Sequence, residues 1–456
     1  MSTAPAVVIA APASGTGKTT IATGLIGALR AAGHRVAPFK VGPDFIDPGY
    51  HALAAGRPGR NLDPVLVGED LIGPLYRHGA RDADIAVVEG VMGLYDGRID
   101  DHFTVPARGS TAQVARMLGA PVLLVIDGRG QSQTAAAVLH GLASFHAEIR
   151  IAGVILNRVG SARHELVLRQ ACESVGVAVL GAVPRREELS VPSRHLGLVT
   201  AVEHGQRGED AVAAMSDLIA RHVDLAAVLA LARSAVPGQG WSPETAVGEP
   251  VGGRPVVAMA SGRAFSFGYA EHAELLRAAG AEVAVFDPLS DPLPERAAAL
   301  VLPGGFPEQY PGQIAANETL RAQIRALAAN APVHAECGGL TYLMSDLDGH
   351  PMCGVIAGSA VFTPRLTLGY RDAVAPTDSP LHPAGQRVTG HEFHRTTVEF
   401  AGPTEPAWLI GRSGGPARAE GAVRAGVHAS YLHTHPAARP GSVRRFVEYA
   451  RRGPVH

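Results

Sequence analysis

The chain has 456 residues, 46% hydrophobic and 18% charged, which predicts a globular protein of two or three domains rather than a disordered chain. Its net charge of −2 supplies neither a basic field for nucleic acid nor a polybasic membrane signal, so we expect small-molecule partners, no nucleic acid and no membrane. The three cysteines, Cys172, Cys337 and Cys353, cannot form a disulfide framework, and no basic segment precedes the first apolar stretch, so we expect a reduced, cytoplasmic protein.

The first half of the chain alternates apolar runs of strand length with segments of helical period. Runs rich in Val, Ile and Leu are typical of strands buried on both faces, and their alternation with helices predicts a doubly wound parallel sheet. We place this α/β domain at residues 1–233. Its predicted strands are Ala6–Ala11, Arg35–Phe39, Ile85–Glu89, Pro121–Ile126, Ile151–Leu156, Ala178–Val183 and Leu196–Thr200.

A glycine-rich segment lies between the first predicted strand and an amphipathic helix. In a phosphate-binding loop (P-loop), glycines let backbone N–H groups converge on phosphate oxygens, a lysine neutralises phosphate charge and a hydroxyl holds Mg²⁺. Pro12 stands where the usual motif has its leading glycine, which weakens the bare pattern but leaves these chemical parts in place. The segment predicts an ATP-binding loop made of Gly15, Thr16, Gly17, Lys18, Thr19 and Thr20.

Several polar side chains follow other predicted strands of this domain. Asp44 comes after the second strand and Glu89 ends the third, so both belong to the edge of the sheet where ligands bind in doubly wound folds. Mg²⁺ prefers such oxygen ligands, and we predict that Asp44 and Glu89 serve the metal together with Thr19. A simpler alternative is that Asp44 and Asp47 only cap turns. Asn157 reads either as an adenine-binding amide or as ordinary loop polarity.

A second α/β series follows a break in composition. Residues 234–253 are rich in Pro and Gly and have little periodicity, which is typical of a linker. We place the second domain at residues 254–456. Its predicted strands are Val256–Ala260, Glu282–Phe286, Ala299–Leu302 and Pro332–Glu336.

Cys337 stands between an apolar strand and a helical pattern, with glycines directly after it. This is the layout of a nucleophile elbow, in which a sharp turn presents a reactive side chain. Gly304 and Gly305 end a neighbouring strand, and their N–H groups are candidates for an oxyanion hole. The histidine-rich segment 426–436 offers a base. A lone cysteine is usually a structural core thiol, as we take the other two to be, but this combination favours a catalytic Cys337.

Together these residues resemble the cobyrinate/hydrogenobyrinate a,c-diamide synthase family of cobalamin biosynthesis. The resemblance implies a dethiobiotin-synthetase-like P-loop domain joined to a class I glutamine amidotransferase domain. It implies amidation of the a and c carboxylates of a corrinoid substrate, with ATP, Mg²⁺ and glutamine. The segments that carry it span nearly the whole chain in the expected order: APASGTGKTT, KVGPDFIDPGYH, VVEGVMGLYDG, VLPGGFPEQY, GHEFHRT and GVHASYLHTHP.

The resemblance also implies roles for individual residues. Lys18 and Thr19 hold phosphates and Mg²⁺, and Asp44 and Glu89 complete the metal site. Asp47 and Asp96 lie near the substrate carboxylate. In the second domain, the resemblance makes Cys337 the glutaminase nucleophile.

The activating histidine has two candidates. The Tyr-Leu-His match selects His433, whereas His435 precedes Pro436 and so imitates the His-Pro-Glu of ordinary class I domains. Under either alignment the glutamate two residues further on is absent, since those positions hold His435 and Ala437. The sequence therefore predicts a Cys-His dyad and leaves open what orients the imidazole.

Two rival functions remain open from the sequence. A partition-type ATPase switch shares the P-loop but has no use for the Cys337 elbow. An amidotransferase acting on another tetrapyrrole, such as cobyric acid or nickel-sirohydrochlorin, has the same build, although the KVGPDFIDP segment favours the a,c-diamide branch. The overall resemblance favours the metal-free substrate, hydrogenobyrinate, and a homodimer is the base-rate expectation for assembly.

Overall fold

The computed structural model describes residues 3–100, 103–185, 193–194, 197–198, 200–412 and 415–452. The chain divides into two compact units, Met1–Trp241 and Ser242–His456. The division falls inside the segment 234–253, whose two ends are packed: the Trp241 N–H donates to the Pro74 carbonyl in the first unit, and the Val251 N–H donates to the Ala279 carbonyl in the second. The domain bounds proposed from the sequence stay a prediction. No helix among the described residues is both long and apolar enough to cross a membrane.

The first unit is built on a seven-stranded parallel sheet with strand order β3-β2-β4-β1-β5-β6-β7. The strands are β1 Ala6–Ala10, β2 Val36–Val41, β3 Arg60–Leu62, β4 Ile85–Glu89, β5 Val122–Asp127, β6 Ile151–Val159 and β7 Val179–Pro184. The helices are α1 Lys18–Ala31, α2 Asp47–Ala55, α3 Ile72–Gly79, α4 Thr111–Leu118, α5 Thr134–Ser144, α6 Ala162–Ser174, α7 Ala201–His204, α8 Gln206–His222 and α9 Leu225–Leu231, with a 3₁₀ turn at Glu69–Leu71. Strands β1, β2 and β4 are buried along their whole length, as their continuous apolar runs predict.

Two details of the predicted sheet are corrected. The run Leu196–Thr200 is not a strand of the main sheet: β9, Gly197–Leu198, pairs antiparallel with β8, Ser193–Arg194, in a separate two-stranded sheet. Residues 195–196 and 199 lie outside the described residues. The edge strand β3 was missed because it has only three residues, two of them polar, which give no apolar run to detect.

The parallel strands bring their carboxyl ends to one edge of the sheet. There, β1 leads into the P-loop, β2 leads toward Asp44 and Asp47, and β4 ends on Glu89. Strand β1 lies between β4 and β5, where the strand order reverses, which is the usual place for a ligand in this kind of fold. The first unit therefore has the edge predicted for a nucleotide site.

The second unit contains a six-stranded sheet with order β11-β10-β12-β13-β21-β20, parallel except for β20. Its strands are β10 Val256–Ala260, β11 Glu282–Phe286, β12 Ala297–Leu302, β13 Val333–Glu336, β20 Ala422–Arg424 and β21 Val427–Ser430. The helices are α10 Pro243–Val247, α11 Ala270–Ala278, α12 Pro311–Ala316, α13 Glu318–Ala328, α14 Gly338–Leu343 and α15 Pro440–Arg452, and 3₁₀ turns lie at Pro307–Gln309 and Pro436–Ala438.

A second, largely antiparallel sheet in this unit was not predicted. Its strands are β14 Asp346–Leu347, β15 His350–Pro351, β16 Gly358–Val374, β17 Arg387–Phe400, β18 Trp408–Arg412 and β19 Gly415–Glu420. The long hairpin of β16 and β17 dominates it. Strand β16 exposes or half-exposes most of its side chains on both faces, so it lacks the apolar run or clean alternation that identifies a strand in a sequence.

Candidate active sites of the two units

The P-loop follows β1 and ends where helix α1 begins at Lys18. Gly15 and Gly17 adopt positive φ angles of 80° and 94°, a backbone shape that glycine adopts without strain. The Lys18 ammonium donates to the Met92 carbonyl at 2.6 Å and to the Ala13 carbonyl at 3.2 Å, so it bends back over the loop. Burial, and next Lys40, lower the pKa of Lys18 to about 8. Phosphate oxygens are the natural counter-charge for this partly desolvated cation.

A buried cluster of oxygens lies beside the first turn of α1. The Thr19 hydroxyl is 2.7 Å from Glu89 Oε1 and 3.2 Å from Asp47 Oδ2. Lys40 Nζ lies between the same carboxylates, 2.6 Å from Asp47 Oδ2 and 2.9 Å from Glu89 Oε1. On the far side, His51 Nε2 is 2.7 Å from Glu89 Oε2. The cluster thus joins the three strand ends of β1, β2 and β4.

The charges of Lys40, Glu89 and Asp47 shift one another's pKa values in this buried cluster. Burial alone would raise the pKa of Glu89, but Lys40 and His51 hold it well below its ordinary value. Burial, Asp44 and Glu89 raise the pKa of Asp47, against the opposing effect of Lys40. Burial would lower the pKa of Lys40, yet the two carboxylates raise it, so Lys40 is a fixed cation. Hydroxyl and carboxylate oxygens form the kind of donor set that Mg²⁺ uses with nucleotide phosphates.

Asp44 and Asp47 have different partners at the start of α2. Asp44 Oδ1 accepts the backbone N–H groups of Ile46 and Asp47, at 2.6 and 3.1 Å, and so caps the start of α2. Asp47, rather than Asp44, reaches Thr19 and Glu89. The reason is geometric. Asp47 is the first residue of α2, and its side chain points toward Glu89 at the end of β4, whereas the Asp44 carboxylate already accepts the N–H groups of the turn before the helix.

Asp96 and Asn157 both support backbone near the P-loop. Asp96 Oδ2 accepts the Gly93 N–H at 3.0 Å in the loop after β4. Asn157 lies within β6 rather than after it, and its Nδ2 donates to the Thr16 carbonyl at 2.8 Å. A Cβ on Gly17 would overlap this amide. The P-loop is therefore held by a side chain from β6, which lies on the far side of β5 from β1.

Cys337 occupies a sharp turn between β13 and α14. Its φ is 49° and its ψ is −103°, a region that non-glycine residues rarely adopt, which is the strained turn expected of a nucleophile elbow. The thiol lies 3.6 Å from the Phe393 carbonyl, to which it donates. Burial, and next Glu308, raise the pKa of Cys337, so the thiol is protonated until a base removes its proton.

Gly304 and Gly305 lie next to this thiol, at the end of the neighbouring strand β12. A Cβ on Gly304 would be 3.3 Å from both Cys337 Cβ and His433 Nε2, and one on Gly305 would overlap the Ala264 carbonyl. Only glycine fits at either position. The two candidate oxyanion-hole residues, the thiol and the imidazole thus occupy one small volume.

His433 is placed there by two sheets at once. Strand β21 is the parallel neighbour of β13, so the segment after it runs past the Cys337 elbow. Strand β17 then clamps this segment: the backbones of His391 and His433 exchange two hydrogen bonds of 2.9 Å. A Cβ on Gly390 would overlap the Leu432 side chain and crowd the His433 carbonyl, which explains the glycine in the GHEFHRT segment. The segment is structural support for the histidine.

His435, the alternative base, belongs to a different environment. Its ring packs on Tyr269 at 4.2 Å between centroids, and Nε2 is 4.0 Å from Glu271 Oε2. His435 Nδ1 also accepts the Ala437 N–H at 3.3 Å, which caps the 3₁₀ turn that follows. These contacts favour a structural role for His435 and leave His433 beside the thiol.

Sequence reasoning missed three charged or polar groups of these sites. Lys40 and His51 hold the carboxylates of the first site, and Glu336 lies 3.4 Å from His433 Nδ1 in the second. Lys40 and His51 are the first and last residues of the KVGPDFIDPGYH segment, in which only the aspartates were assigned roles. The position of Glu336, at the end of a buried strand and directly before the nucleophile, could have indicated its role. A charged side chain at such a buried position is expected to have a polar or charged partner.

Each unit of the chain matches one known protein domain. Residues 7–199 match the CobQ/CobB/MinD/ParA nucleotide binding domain, and residues 256–441 match the CobB/CobQ-like glutamine amidotransferase domain. Among solved structures, chloroplast FtsY from Physcomitrella patens matches 40% of this chain and 59% of the FtsY chain. The sequence identity is 19% and the TM-score is 0.28.

Curated relatives match along nearly the whole chain. Hydrogenobyrinate a,c-diamide synthase of Mycobacterium tuberculosis (strain ATCC 25618 / H37Rv) is 68% identical over 98% of each chain. The Streptomyces coelicolor protein of the same name is 54% identical over 99% of this chain and 98% of its own. Cobyrinate a,c-diamide synthase of Gloeobacter violaceus is 42% identical over 97% and 96%. Combined with a P-loop unit and a cysteine-elbow unit in one polypeptide, these matches show that the chain belongs to the hydrogenobyrinate and cobyrinate a,c-diamide synthase family, the glutamine-dependent amidoligases of cobalamin biosynthesis.

Proposed function

We propose that this enzyme amidates the a and c carboxylates of hydrogenobyrinate, using ATP to activate each carboxylate and glutamine to supply ammonia. The observation that carries the proposal is the pairing, in one chain, of a P-loop beside buried carboxylates with a cysteine elbow beside a histidine. A carboxylate is a poor electrophile, so it needs a phosphoryl group before ammonia can displace an oxygen. The first unit supplies that activation and the second unit supplies the ammonia.

In the first unit, the γ-phosphoryl group of ATP is transferred to a substrate carboxylate. The P-loop N–H groups and Lys18 bind the phosphates, and Asn157 keeps the loop in place through the Thr16 carbonyl. Ammonia then attacks the acyl phosphate, and inorganic phosphate leaves. Lys40 is the second cation available to the phosphoryl oxygens, since its ammonium is held at the strand ends by Asp47 and Glu89.

Magnesium fits the donor set of this unit. We assign it to the Thr19 hydroxyl and the carboxylates of Asp47 and Glu89, which converge in one buried cluster. Bound there with the nucleotide, Mg²⁺ would neutralise phosphate charge. Asp44, first expected among the metal residues, is reassigned to capping α2, and Asp96 remains a candidate for the substrate side of the site through its loop after β4.

In the second unit, Cys337 hydrolyses glutamine. His433 takes the thiol proton, and the thiolate attacks the side-chain amide, with the developing oxyanion facing the N–H groups at Gly304 and Gly305. The tetrahedral intermediate collapses to a thioester, and His433 returns the proton to the leaving ammonia. Water, deprotonated by the same imidazole, then hydrolyses the thioester to glutamate.

The metal-free corrinoid is our choice of substrate because the relatives at 68% and 54% identity are named for hydrogenobyrinate, and the relative at 42% for cobyrinate. We also propose a cytoplasmic location, which suits three cysteines that are all free thiols. A homodimer remains the base-rate expectation for assembly, and sedimentation of the purified enzyme tests it.

The decisive experiment incubates the enzyme with ATP, Mg²⁺ and glutamine, and with either hydrogenobyrinate or cobyrinate. Formation of the a,c-diamide with one ADP per amide, and faster turnover of the metal-free acid, is the expected result. Cys337→Ala should lose glutamine-driven amidation and keep amidation driven by added ammonia. ATP hydrolysis that is indifferent to corrinoid, with no amide formed, would refute the proposal.

A further inference from the structure

We propose that Glu336, the residue directly before the nucleophile, is the carboxylate that orients His433 and stabilises its protonated form. The chain lacks a glutamate two residues after either candidate histidine, and Glu336 fills that role from a different element. The inference rests on the proposed glutaminase pair Cys337 and His433. Glu336 touches the imidazole rather than the substrate, so it is a positioning residue.

The two groups meet in the interior of the second unit. Glu336 Oε2 lies 3.4 Å from His433 Nδ1, at ion-pair distance. The His433 side chain is fully buried, and 14% of the Glu336 side chain is exposed. A separation of this size in the ligand-free enzyme is typical of catalytic pairs that tighten when substrate binds.

The other carboxylate oxygen is held by separate partners. Glu336 Oε1 accepts the Thr434 N–H and the Thr434 hydroxyl, each at 3.2 Å, and lies 3.3 Å from His334 Nε2. His334 is two residues before Glu336 on β13, so both side chains project from the same face of the sheet. Oε1 therefore anchors the carboxylate, which leaves Oε2 aimed at the catalytic ring.

Neighbouring charges keep this carboxylate ionised. Burial by itself would raise the pKa of Glu336, but His334 and His433 hold it well below its ordinary value. Two other buried carboxylates of this unit are engaged elsewhere. Glu392 is held between Arg371 and Arg418, at 2.6 and 2.5 Å, and Glu420 accepts from the Ser430 hydroxyl and the Tyr431 N–H.

This arrangement fixes the chemistry of the imidazole. A carboxylate at Nδ1 selects the tautomer that carries its proton there, which makes Nε2 the ring nitrogen that accepts a proton. A Cβ added to Gly304 would overlap His433 Cε1 and lie 3.3 Å from both His433 Nε2 and Cys337 Cβ, so this edge of the ring and the nucleophile border the same glycine. When Nε2 takes the thiol proton, the imidazolium faces a negative charge in a buried site, where that charge is most effective. Because burial raises the pKa of Cys337, this help matters for forming the thiolate.

The fold explains why the carboxylate comes from this position. Strands β13 and β21 are parallel neighbours with Glu336 opposite Ser430, and the chain that follows β21 contacts Glu336 through His433 and Thr434. The residue that ends β13 is thus within reach of the residues that follow β21. The nucleophile Cys337 and the proposed orienting carboxylate of Glu336 are therefore consecutive residues at the end of β13.

The test is Glu336→Gln, which keeps the shape of the side chain and removes its charge. We expect kcat for glutamine hydrolysis to fall about 10³–10⁴-fold, as for neutralising the carboxylate of a catalytic triad, with KM for glutamine changed less than about threefold. The pH profile of the remaining activity should differ from that of wild type, because the imidazole has lost the carboxylate beside its Nδ1. Ammonia-driven amidation, which bypasses Cys337, should stay at the wild-type rate.

Glu420→Gln is the matched control, since it neutralises another buried glutamate of the same unit, and we expect its glutaminase kcat within about threefold of wild type. A similar loss in both variants would overturn the proposal in favour of a general packing effect. So would wild-type kcat or an unchanged pH profile in Glu336→Gln. If Glu336→Gln does not fold, Glu336→Asp decides: a reduced kcat with the wild-type pH profile supports the proposal, and a wild-type kcat refutes it.

Cys337→Ala separates this inference from the function on which it rests. If Cys337→Ala still hydrolyses glutamine, the proposed glutaminase site is wrong. If Cys337→Ala is inactive and Glu336→Gln behaves as wild type, only the role of Glu336 fails.

Discussion

Lys40 Nζ lies 2.6 Å from Asp47 Oδ2 in the interior of the first unit, with the two side chains 4% and 10% exposed. This ion pair brings a carboxylate from the start of α2 to the end of β2, next to the P-loop threonine. Lys40 Nζ also lies 2.9 Å from Glu89 Oε1, so both carboxylates contact the same lysine and the same threonine.

The first prediction concerns the two aspartates of that loop. Asp47→Asn should raise the Mg²⁺ concentration needed for half-maximal amidation about 10–100-fold, because one of two metal carboxylates is lost. Asp44→Asn should change it less than about threefold, since an amide oxygen still accepts the N–H groups that Asp44 caps. Magnesium titrations of both variants measure this. The reverse pattern would restore Asp44 to the metal site.

The second prediction separates two roles for Asn157. If its amide holds the P-loop through the Thr16 carbonyl, Asn157→Ala should raise the KM values for ATP and GTP by the same factor, about tenfold. If it reads adenine instead, only the KM for ATP should rise, and the preference for ATP should fall. We expect equal factors. Steady-state kinetics with both nucleotides decide between the two roles.

The third prediction compares the two candidate bases. His433→Ala should lower kcat for glutamine hydrolysis at least about 10³-fold, because Cys337 loses the base beside it. His435→Ala should mainly lower stability, by about 1–2 kcal/mol, through the lost ring contact with Tyr269. Glutamine hydrolysis and thermal melting of each variant are the measurements. A catalytic loss confined to His435→Ala would contradict our choice of base.

The fourth prediction concerns acid sensitivity of the second unit. Burial first, and next His334, lower the pKa of both His272 and His382 to about 3, whereas an unfolded chain titrates its histidines near 6.5. The unfolded state therefore binds more protons below pH 6.5, so the stability from these histidines is complete above pH 6.5 and is lost as the pH falls toward 3. At pH 5.5 the loss is about 1 kcal/mol for each histidine.

Glu420 works in the opposite direction. Burial raises its pKa to about 7, so the folded state binds its proton more readily and gains stability as the pH falls from 7 toward 4.5. The variant His272→Gln isolates the histidine effect, because it removes one titrating group and leaves Glu420 unchanged. Urea unfolding of wild type and variant at pH 7.5 and 5.5 should show a smaller acid loss for the variant, by about 1 kcal/mol. Equal losses would contradict it.

The local order of strand, loop and helix was readable from the sequence. Strands Ile85–Glu89, Val256–Ala260 and Glu282–Phe286 have the predicted bounds. The first two are short, largely buried apolar runs, and the third is a more exposed run of Val, Ala and Phe after Glu282, patterns that identify strands in a sequence. The P-loop and the Cys337 elbow follow from the same local logic. The antiparallel sheet around β16 and β17 was not readable, since β16 is largely exposed and most of the buried positions of β17 hold polar residues or glycine.

By itself, the sequence determined the chemistry available at each strand end: a P-loop lysine and threonine, an elbow cysteine, and a family resemblance that the relatives confirm. Only the tertiary structure decided which partners meet. Asp44 and Asp47 are equivalent in composition and three positions apart, and the first turn of α2 sends one to a cap and the other to Lys40. Glu336 ends β13 and His433 follows β21, the parallel neighbour of β13, and much of the chain between them forms a separate sheet. Contacts of that kind depend on strand order and register, which no local pattern of residues specifies.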